Sequence, residues 1–193
     1  KGINVINTPA ASSKSVAELV FSHLFGCVRF LHESNRSMPS EGDTKFKELK
    51  KSYAGGTELS EKTLGIIGFG RIGQEVAKIA IGVGMKVIFY DKFNDQANIK
   101  LDFFDGQNLS FKLKSSTFDE LLNNSDYITV HIPASKEYII DSDQFAKMKN
   151  GVGLLNLPRG GIINEEELIK NIESGKISFA GIDTFEGEPN PSM

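Results

Sequence analysis

Residues Lys62–Ala80, KTLGIIGFGRIGQEVAKIA, decide the fold of this chain. An apolar run leads into three glycines, Gly68, Gly70 and Gly73, and the residues behind them are apolar at helical spacing. The next apolar run, KVIFYD, ends in Asp91, which lies 23 residues after Gly68. A lone G-x-G-x-x-G is weak evidence. A strand, a glycine turn, a helix and a second strand that ends in an acid together predict a dinucleotide-binding site.

Each part of this motif has a physical reason. Gly68 permits a tight turn, Gly70 lets a pyrophosphate approach the backbone, and Gly73 lets the helix lie close to the strand. The free amides at the start of the helix, at Arg71 and Ile72, face the phosphates and are helped by the helix dipole. The alternative is a structural turn beside a surface aspartate, which the complete pattern disfavours.

The acid at the end of the second strand bears on the choice of cofactor. Asp91 is placed to accept both hydroxyls of the adenosine ribose, and its charge would repel a 2′-phosphate. A nearby arginine, Arg71, works in the opposite direction because it can help to hold a phosphate. We predict NAD rather than NADP.

Strands and helices alternate along the chain, which predicts an α/β fold with a doubly wound parallel sheet of the Rossmann type. Two stretches depart from the alternation. Ser37–Ser60 is expected to be mostly loop, with a short helix near Lys45–Lys50, and Asn94–Lys114 to be irregular. The other predicted elements are strands at Ile3–Asn7, 63–68, 86–91, 126–133, 151–158 and 178–185, and helices at 71–81, 116–124, 141–150 and 164–175.

Composition narrows the classes of function. The 193 residues carry a formal net charge of −3, so nothing favours nucleic acid as a partner. No apolar run approaches the roughly 20 residues of a membrane helix. The single cysteine, Cys27, excludes an intrachain disulfide and fits a reducing compartment, so we expect a cytoplasmic protein. We predict no metal site.

A long helix is predicted over Ser13–Glu33. Phe21 and Phe25 widen its apolar stripe beyond what one face of a sheet would cover. We therefore expect a second copy of the chain to cover the remainder, giving a homodimer built partly on this helix. The other members of the stripe are Val16, Leu19, Val20, Leu24, Cys27, Val28 and Leu31.

Six short motifs are spread along nearly the whole chain: NTP at Asn7–Pro9, SVAEL at Ser15–Leu19, KTLGIIGFGRIGQEVA, HIP at His131–Pro133, NLPRGGIINEEEL at Asn156–Leu168 and GIDTFEGEP at Gly181–Pro189. Together they resemble the D-isomer-specific 2-hydroxyacid dehydrogenases. The arginine motif with D-x-F-x-x-E-P behind it is more specific than the glycine loop. Within the family, the overall likeness favours the branch that oxidises 3-phosphoglycerate in serine biosynthesis.

The resemblance implies a two-domain enzyme in which the cofactor domain is inserted into the substrate domain. The chain begins with Lys1, and we expect it to be a piece of such a protein. All of 1–193 would then be the NAD-binding domain, with a strand and dimerisation-type helix in 1–36 and the Rossmann core in 62–193. The substrate domain, and the histidine that normally follows the E-P pair, are missing from this sequence. We expect this chain to bind NAD with little or no turnover.

The resemblance also implies roles for single residues. Arg159 would bind the carboxylate and carbonyl of a small 2-hydroxy acid, for which a guanidinium fork is suited. Glu188 would pair with the missing histidine and keep it protonated at the right moment. Asp183 would lie near the nicotinamide carboxamide, at the carboxyl end of a strand.

Further residues would line the cofactor cleft. His131, Ile132 and Pro133 end a strand at the same edge of the sheet, although a histidine there is about as often simply packed. Pro158 departs from the family, which usually has a small residue with a free amide at this position. Proline removes that donor and forces Leu157 to be extended, which affects the aim of the arginine that follows.

Two alternatives remain open. Some relatives of this fold are NAD-sensing transcriptional corepressors, which would make the chain a regulatory binding module. Within enzymes, the substrate could instead be glyoxylate, hydroxypyruvate, lactate or formate.

Overall fold

The computed structural model describes residues 2, 6, 8, 10–133, 135 and 137–188. The strand predicted over Ile3–Asn7 lies outside these residues apart from Ile6. The same holds for Asn7 and Pro9 of the first motif and for Pro189 of the last.

Strands and helices alternate in the order expected from the sequence. Two features were not expected, namely a long second helix and a pair of strands between residues 96 and 114. The strands are β1 (Thr63–Ile67), β2 (Lys86–Tyr90), β3 (Gln96–Asp102), β4 (Asn108–Lys114), β5 (Tyr127–Val130), β6 (Val152–Asn156) and β7 (Ile177–Ile182). The α-helices are α1 (Ser13–Val28), α2 (Leu31–Ser52), α3 (Arg71–Gly82), α4 (Phe118–Asn124), α5 (Ser142–Lys147) and α6 (Glu165–Glu173).

The central sheet has five parallel strands in the order β2-β1-β5-β6-β7. One apolar core, which includes Leu24 and Phe89, lies against α1 and α3. A second core, which includes Leu121 and Phe145, lies against α4, α5 and α6. The predicted doubly wound sheet is therefore confirmed. The carboxyl ends of all five strands meet at one edge, where open α/β sheets bind their ligands.

The helices on the second core begin with side-chain caps, of which those of α4 and α6 are examples. Thr117 caps α4 in a capping box with Glu120. Asn164 caps α6 because its side chain accepts a hydrogen bond from the amide of Glu167, at 3.1 Å. These caps satisfy amides that a helix start leaves without partners.

The helix predicted over Ser13–Glu33 is interrupted. Of the stretch Ser37–Ser60, predicted to be mostly loop, residues 37–52 are helical, and the short helix predicted near Lys45–Lys50 lies within this helix. Phe30 has a left-handed backbone, φ 53°, between the end of α1 and the start of α2. From there α2 runs to Ser52 through Pro39, with a non-helical residue at Lys45. None of the side chains of α2 is buried, and Pro39 and Gly42 disfavour a helix, so neither core packing nor local helix propensity explains it.

The irregular stretch predicted over Asn94–Lys114 is also wrong, because it forms the β3–β4 hairpin. Its seven residue pairs run from Gln96–Lys114 to Asp102–Asn108. One face of the hairpin is apolar: Ile99 is buried, and it lies opposite Phe111 against the first core. Alternation of apolar and polar residues explains the strands, and Gly106, with φ 85°, closes the turn.

In the part of the chain that the structure describes, no helix combines the length and the apolar character needed to cross a membrane.

Candidate functional site

The glycine loop follows β1 directly and turns the chain toward α3. Gly68 has φ 89°, and its amide donates a hydrogen bond to the carbonyl oxygen of Tyr90, at 2.8 Å. A Cβ at this position would lie 2.5 Å from the carbonyl oxygen of His131. Only glycine fits both the left-handed backbone and this close approach.

The other two glycines of the motif have opposite surroundings. A Cβ on Gly73 would lie under 3.0 Å from the carbonyl oxygen of Gly68, so α3 begins close against the loop. A Cβ on Gly70 would meet no described atom within 4 Å. The first helical hydrogen bond of α3 runs from the amide of Gln74 to the carbonyl oxygen of Gly70. The amides of the three helical residues before Gln74 are therefore free to bind an anion.

Asp91 stands beside this loop and is tied to it. Its Oδ2 accepts the amide of Phe69 at 2.6 Å, and its Oδ1 accepts the amide of Phe93 and both the backbone and side-chain amides of Asn94. Partial burial raises the pKa of Asp91, but these hydrogen bonds outweigh burial and lower its pKa below the ordinary value. The carboxylate is thus held ionised next to the glycine loop.

Buried polar atoms without a hydrogen-bond partner among the described residues occur at the carboxyl ends of three neighbouring strands. They are Nδ1 of His131 after β5, Oδ1 of Asn156 at the end of β6, and Oγ1 of Thr184 after β7. Since buried polar groups are normally paired, such atoms at one sheet edge indicate a place for a polar ligand. The amide of Asp183, from the same edge, donates to the carbonyl oxygen of Asn156 at 3.1 Å.

His131 is held as a neutral imidazole. Its Nε2 lies 2.9 Å from Oγ1 of the buried Thr129, and burial lowers the pKa of His131 to about 4. Of its two predicted neighbours in the cleft, Ile132 lies against the glycine turn, where its Cγ2 would be 2.8 Å from a Cβ on Gly68, and Pro133 is exposed. Leu157, predicted to line the cleft, has its side chain in the first core with 4% exposed.

Arg159 and Glu188 lie on one cleft of about 600 Å³, and both side chains are exposed. The Arg159 guanidinium donates to the carbonyl oxygen of Pro158 at 3.2 Å, and Glu188 accepts the amide of Phe185 at 2.8 Å. The two loops touch closely because Gly160 has no Cβ: a Cβ there would overlap the carbonyl oxygen of Phe185. The structure therefore brings together the two residues for which the resemblance implied a role in the reaction.

Two residues that support this cleft were missed from the sequence. The buried Asn156 donates from Nδ2 to the carbonyl oxygen of Arg159 at 2.9 Å, which closes the turn containing Pro158. Glu186 accepts the amide of Glu165, the first residue of α6, and its own amide donates to the Glu165 carboxylate at 2.7 Å. An asparagine at the end of a buried strand was the available signal for the first; the second depends on a contact between distant segments.

Comparison with known proteins matches residues 21–193 to the model of the D-isomer specific 2-hydroxyacid dehydrogenase, NAD binding domain. The chain belongs to this family. It is 43% identical over 191 residues to a hydroxypyruvate reductase of Thermotoga maritima and 37% identical over 190 residues to a D-3-phosphoglycerate dehydrogenase of Bacillus subtilis. These alignments cover 98% and 97% of the chain, but only 56% and 33% of the two relatives.

A solved relative carries the same fold with its cofactor. An NAD-dependent formate dehydrogenase of Staphylococcus aureus, in complex with NAD, is 29% identical with a TM-score of 0.76 over 96% of this chain and 51% of that one. The matching domain is an NAD-binding domain, and the residues present here fit that cofactor. A pyrophosphate needs the open side of Gly70, and a ribose needs the ionised Asp91. The nicotinamide needs polar partners, which the unpartnered atoms at the sheet edge can supply.

Proposed function

We propose that this chain serves hydride transfer between NAD and C2 of a small 2-hydroxy acid. The observation that carries the proposal is the common edge of the sheet, which places the glycine loop and Asp91 at one side and the cleft with Arg159 and Glu188 at the other. Because the chain spans a third to just over half of the relatives above, this activity belongs to the whole protein.

NAD, when bound, supplies the hydride acceptor. The amides at the start of α3 hold the pyrophosphate, and Asp91 accepts the ribose hydroxyls and disfavours a 2′-phosphate. The exposed fork of Arg159 binds the substrate carboxylate and polarises the carbonyl that forms at C2. Glu188 pairs with a histidine of the whole protein that lies outside this sequence and moves the proton. The low pKa of His131 makes that residue unsuited to the task.

For the substrate we propose a three-carbon acid with oxygen on C3, D-3-phosphoglycerate in the first place. The relatives named as hydroxypyruvate reductase and D-3-phosphoglycerate dehydrogenase support this skeleton, since hydroxypyruvate and the oxidised phosphoglycerate differ only by a phosphate. Assay of the whole protein with 3-phosphoglycerate, glycerate, lactate, glycolate and formate separates the alternatives. Turnover confined to lactate or formate would overturn the assignment.

The cofactor assignment is tested by calorimetry of this chain with NAD and with NADP. We expect tighter binding of NAD, and a loss of roughly 10- to 100-fold in NAD affinity for Asp91→Asn, because a hydrogen bond to a charged group is worth about 1.5–3 kcal/mol. The matched control is Asp102→Asn on the hairpin, where the acid is exposed and bonded to Lys100 alone among the described residues. Equal affinity of the wild type for the two cofactors would contradict the role of Asp91.

We also propose a cytoplasmic homodimer that uses α1. Ala17, Val20 and Leu24 are buried in the first core, whereas Leu19 and Phe25 are 38% and 43% exposed. Leu19 borders a groove of about 1200 Å³ between α1, the start of α2 and the edge strand β7, which a second copy would fill. Light scattering is expected to give twice the chain mass, and Phe25→Glu to shift it to the monomer; a wild-type monomer at high concentration would refute the dimer.

A further inference from the structure

The carboxylate of Asp91 is almost fully occupied by the chain itself. A carboxylate has about four lone-pair positions, two on each oxygen. Oδ1 accepts three hydrogen bonds, from the amide of Phe93 at 2.9 Å, the amide of Asn94 at 3.0 Å and the Asn94 side chain at 2.9 Å. Oδ2 accepts one, from the amide of Phe69 at 2.6 Å. Oδ2 therefore has one open position for a ribose hydroxyl. A second hydroxyl would have to bind Oδ1, which already accepts three donors, so it must displace one of them.

Only one of the four donors can leave without moving the backbone. The amides of Phe69, Phe93 and Asn94 belong to the main chain, and the Phe69 ring is fixed in the core, stacked on Phe89 at 3.8 Å between centroids. The side-chain amide of Asn94 is exposed and needs only a rotation about its own bonds to leave Asp91.

We infer that the side-chain amide of Asn94 holds the position on Asp91 that one adenosine ribose hydroxyl takes when NAD binds, so that Asn94 competes with the cofactor. This inference rests on the proposed NAD binding through Asp91 and adds a residue that sets its strength. The three main-chain donors keep the carboxylate in place when the Asn94 side chain leaves, so removing that side chain does not disorder Asp91.

The test is calorimetry of the chain with Asn94→Ala against the wild type. We expect NAD to bind roughly three- to tenfold more tightly to the variant, because an exposed hydrogen bond to a carboxylate no longer has to be broken. The matched control is Asn98→Ala, the same residue type four positions on, exposed on the polar face of the hairpin, for which no change is expected. Circular dichroism and thermal unfolding verify that both variants fold.

A second measurement isolates the ribose contact. NAD analogues with a 2′-deoxy or a 3′-deoxy adenosine ribose are titrated into both proteins. The gain from Asn94→Ala is expected to persist with one analogue and to vanish with the one that lacks the competing hydroxyl. The inference would be overturned, provided that the wild type binds NAD, by either of two results. One is an affinity of Asn94→Ala for NAD that is equal to or weaker than that of the wild type, and the other is the same gain in affinity with NAD and both analogues. A wild-type chain that binds no NAD would overturn the proposed function as well.

Discussion

Replacing Gly70 or Gly73 by alanine adds one methyl group in each case. We expect the change at Gly73 to lower stability and the change at Gly70 to weaken cofactor binding. In Gly73→Ala the new Cβ lies under 3.0 Å from the Gly68 carbonyl oxygen and 3.3 Å from Cγ2 of Ile66. The obstacle is backbone, so the helix must shift. Overpacking of this kind costs typically 1–3 kcal/mol, and we take the upper end, about 3, because a carbonyl cannot rotate away. Alanine regains about 1 kcal/mol of helix propensity, which leaves a net loss of about 2 kcal/mol.

In Gly70→Ala the methyl group meets no described atom, and φ −74° with ψ −157° is accessible to alanine. The lower entropy of the unfolded chain stabilises by about 0.4–1 kcal/mol and the poorer N-cap costs a similar amount, so stability should stay within about 0.5 kcal/mol. The methyl group does stand where the pyrophosphate approaches. Loss of one charge-assisted hydrogen bond, about 1.5–3 kcal/mol, weakens NAD binding roughly 10- to 100-fold.

Differential scanning fluorimetry and NAD calorimetry on the two variants decide the matter. For a chain of this size about 2 kcal/mol corresponds to a fall in Tm of roughly 4–8 °C, expected for Gly73→Ala alone. Gly70→Ala should melt with the wild type and bind NAD poorly. The reasoning is refuted if Gly73→Ala keeps the wild-type Tm, or if Gly70→Ala keeps the wild-type affinity.

Three further outcomes are expected. The pKa of His131 in the folded chain, about 4, lies below the ordinary 6.5, so on acidification the unfolded chain binds the proton first. The free energy of unfolding should therefore fall as the pH is lowered from 6.5 to 4, and it should fall less in His131→Gln. An equal pH dependence in the two proteins would contradict the low pKa of His131. Asp126→Ala removes the acceptor of the Thr63 amide at 2.8 Å and of Lys149 at 2.9 Å, which should cost about 1–2 kcal/mol in urea unfolding. Arg159→Lys in the whole protein keeps the charge and loses the fork, so KM for the hydroxy acid should rise about tenfold while the Kd of NAD stays unchanged.

The inner strands β1, β5 and β6 could be predicted because they are buried on both faces and therefore appear as short apolar runs. The edge strands β2 and β7 are only partly buried, but they are also apolar enough to be recognised. The glycine motif added the position of the cofactor edge, and Asp91 followed from spacing. Local patterns of this kind need no knowledge of the rest of the chain. The hairpin also has a local pattern, because apolar and polar residues alternate on both sides of the turn at Asp105–Gly106. The exposed residues at the tip interrupt this alternation, which made the two strands look irregular.

The remaining differences concern features that no local pattern of the sequence predicts. A left-handed phenylalanine at position 30 has no signature in the sequence, because the conformation disfavours bulky residues and only the surrounding structure fixes it. A helix through Pro39 contradicts the usual rule for proline. In the site, Asn156 and Glu186 act through a turn and through a distant helix start, so their partners emerge only when the chain is folded.

The tip of the β3–β4 hairpin is a suitable place to attach a label. Its seven pairs span roughly 20 Å at about 3.3 Å per residue, from a base beside Asp91 to the turn at Asp105–Gly106. Phe104, at that turn, is fully exposed. A fluorophore or an affinity tag attached to this tip would therefore sit far from the nucleotide, reporting on tumbling or surface capture without disturbing the chemistry it is meant to follow.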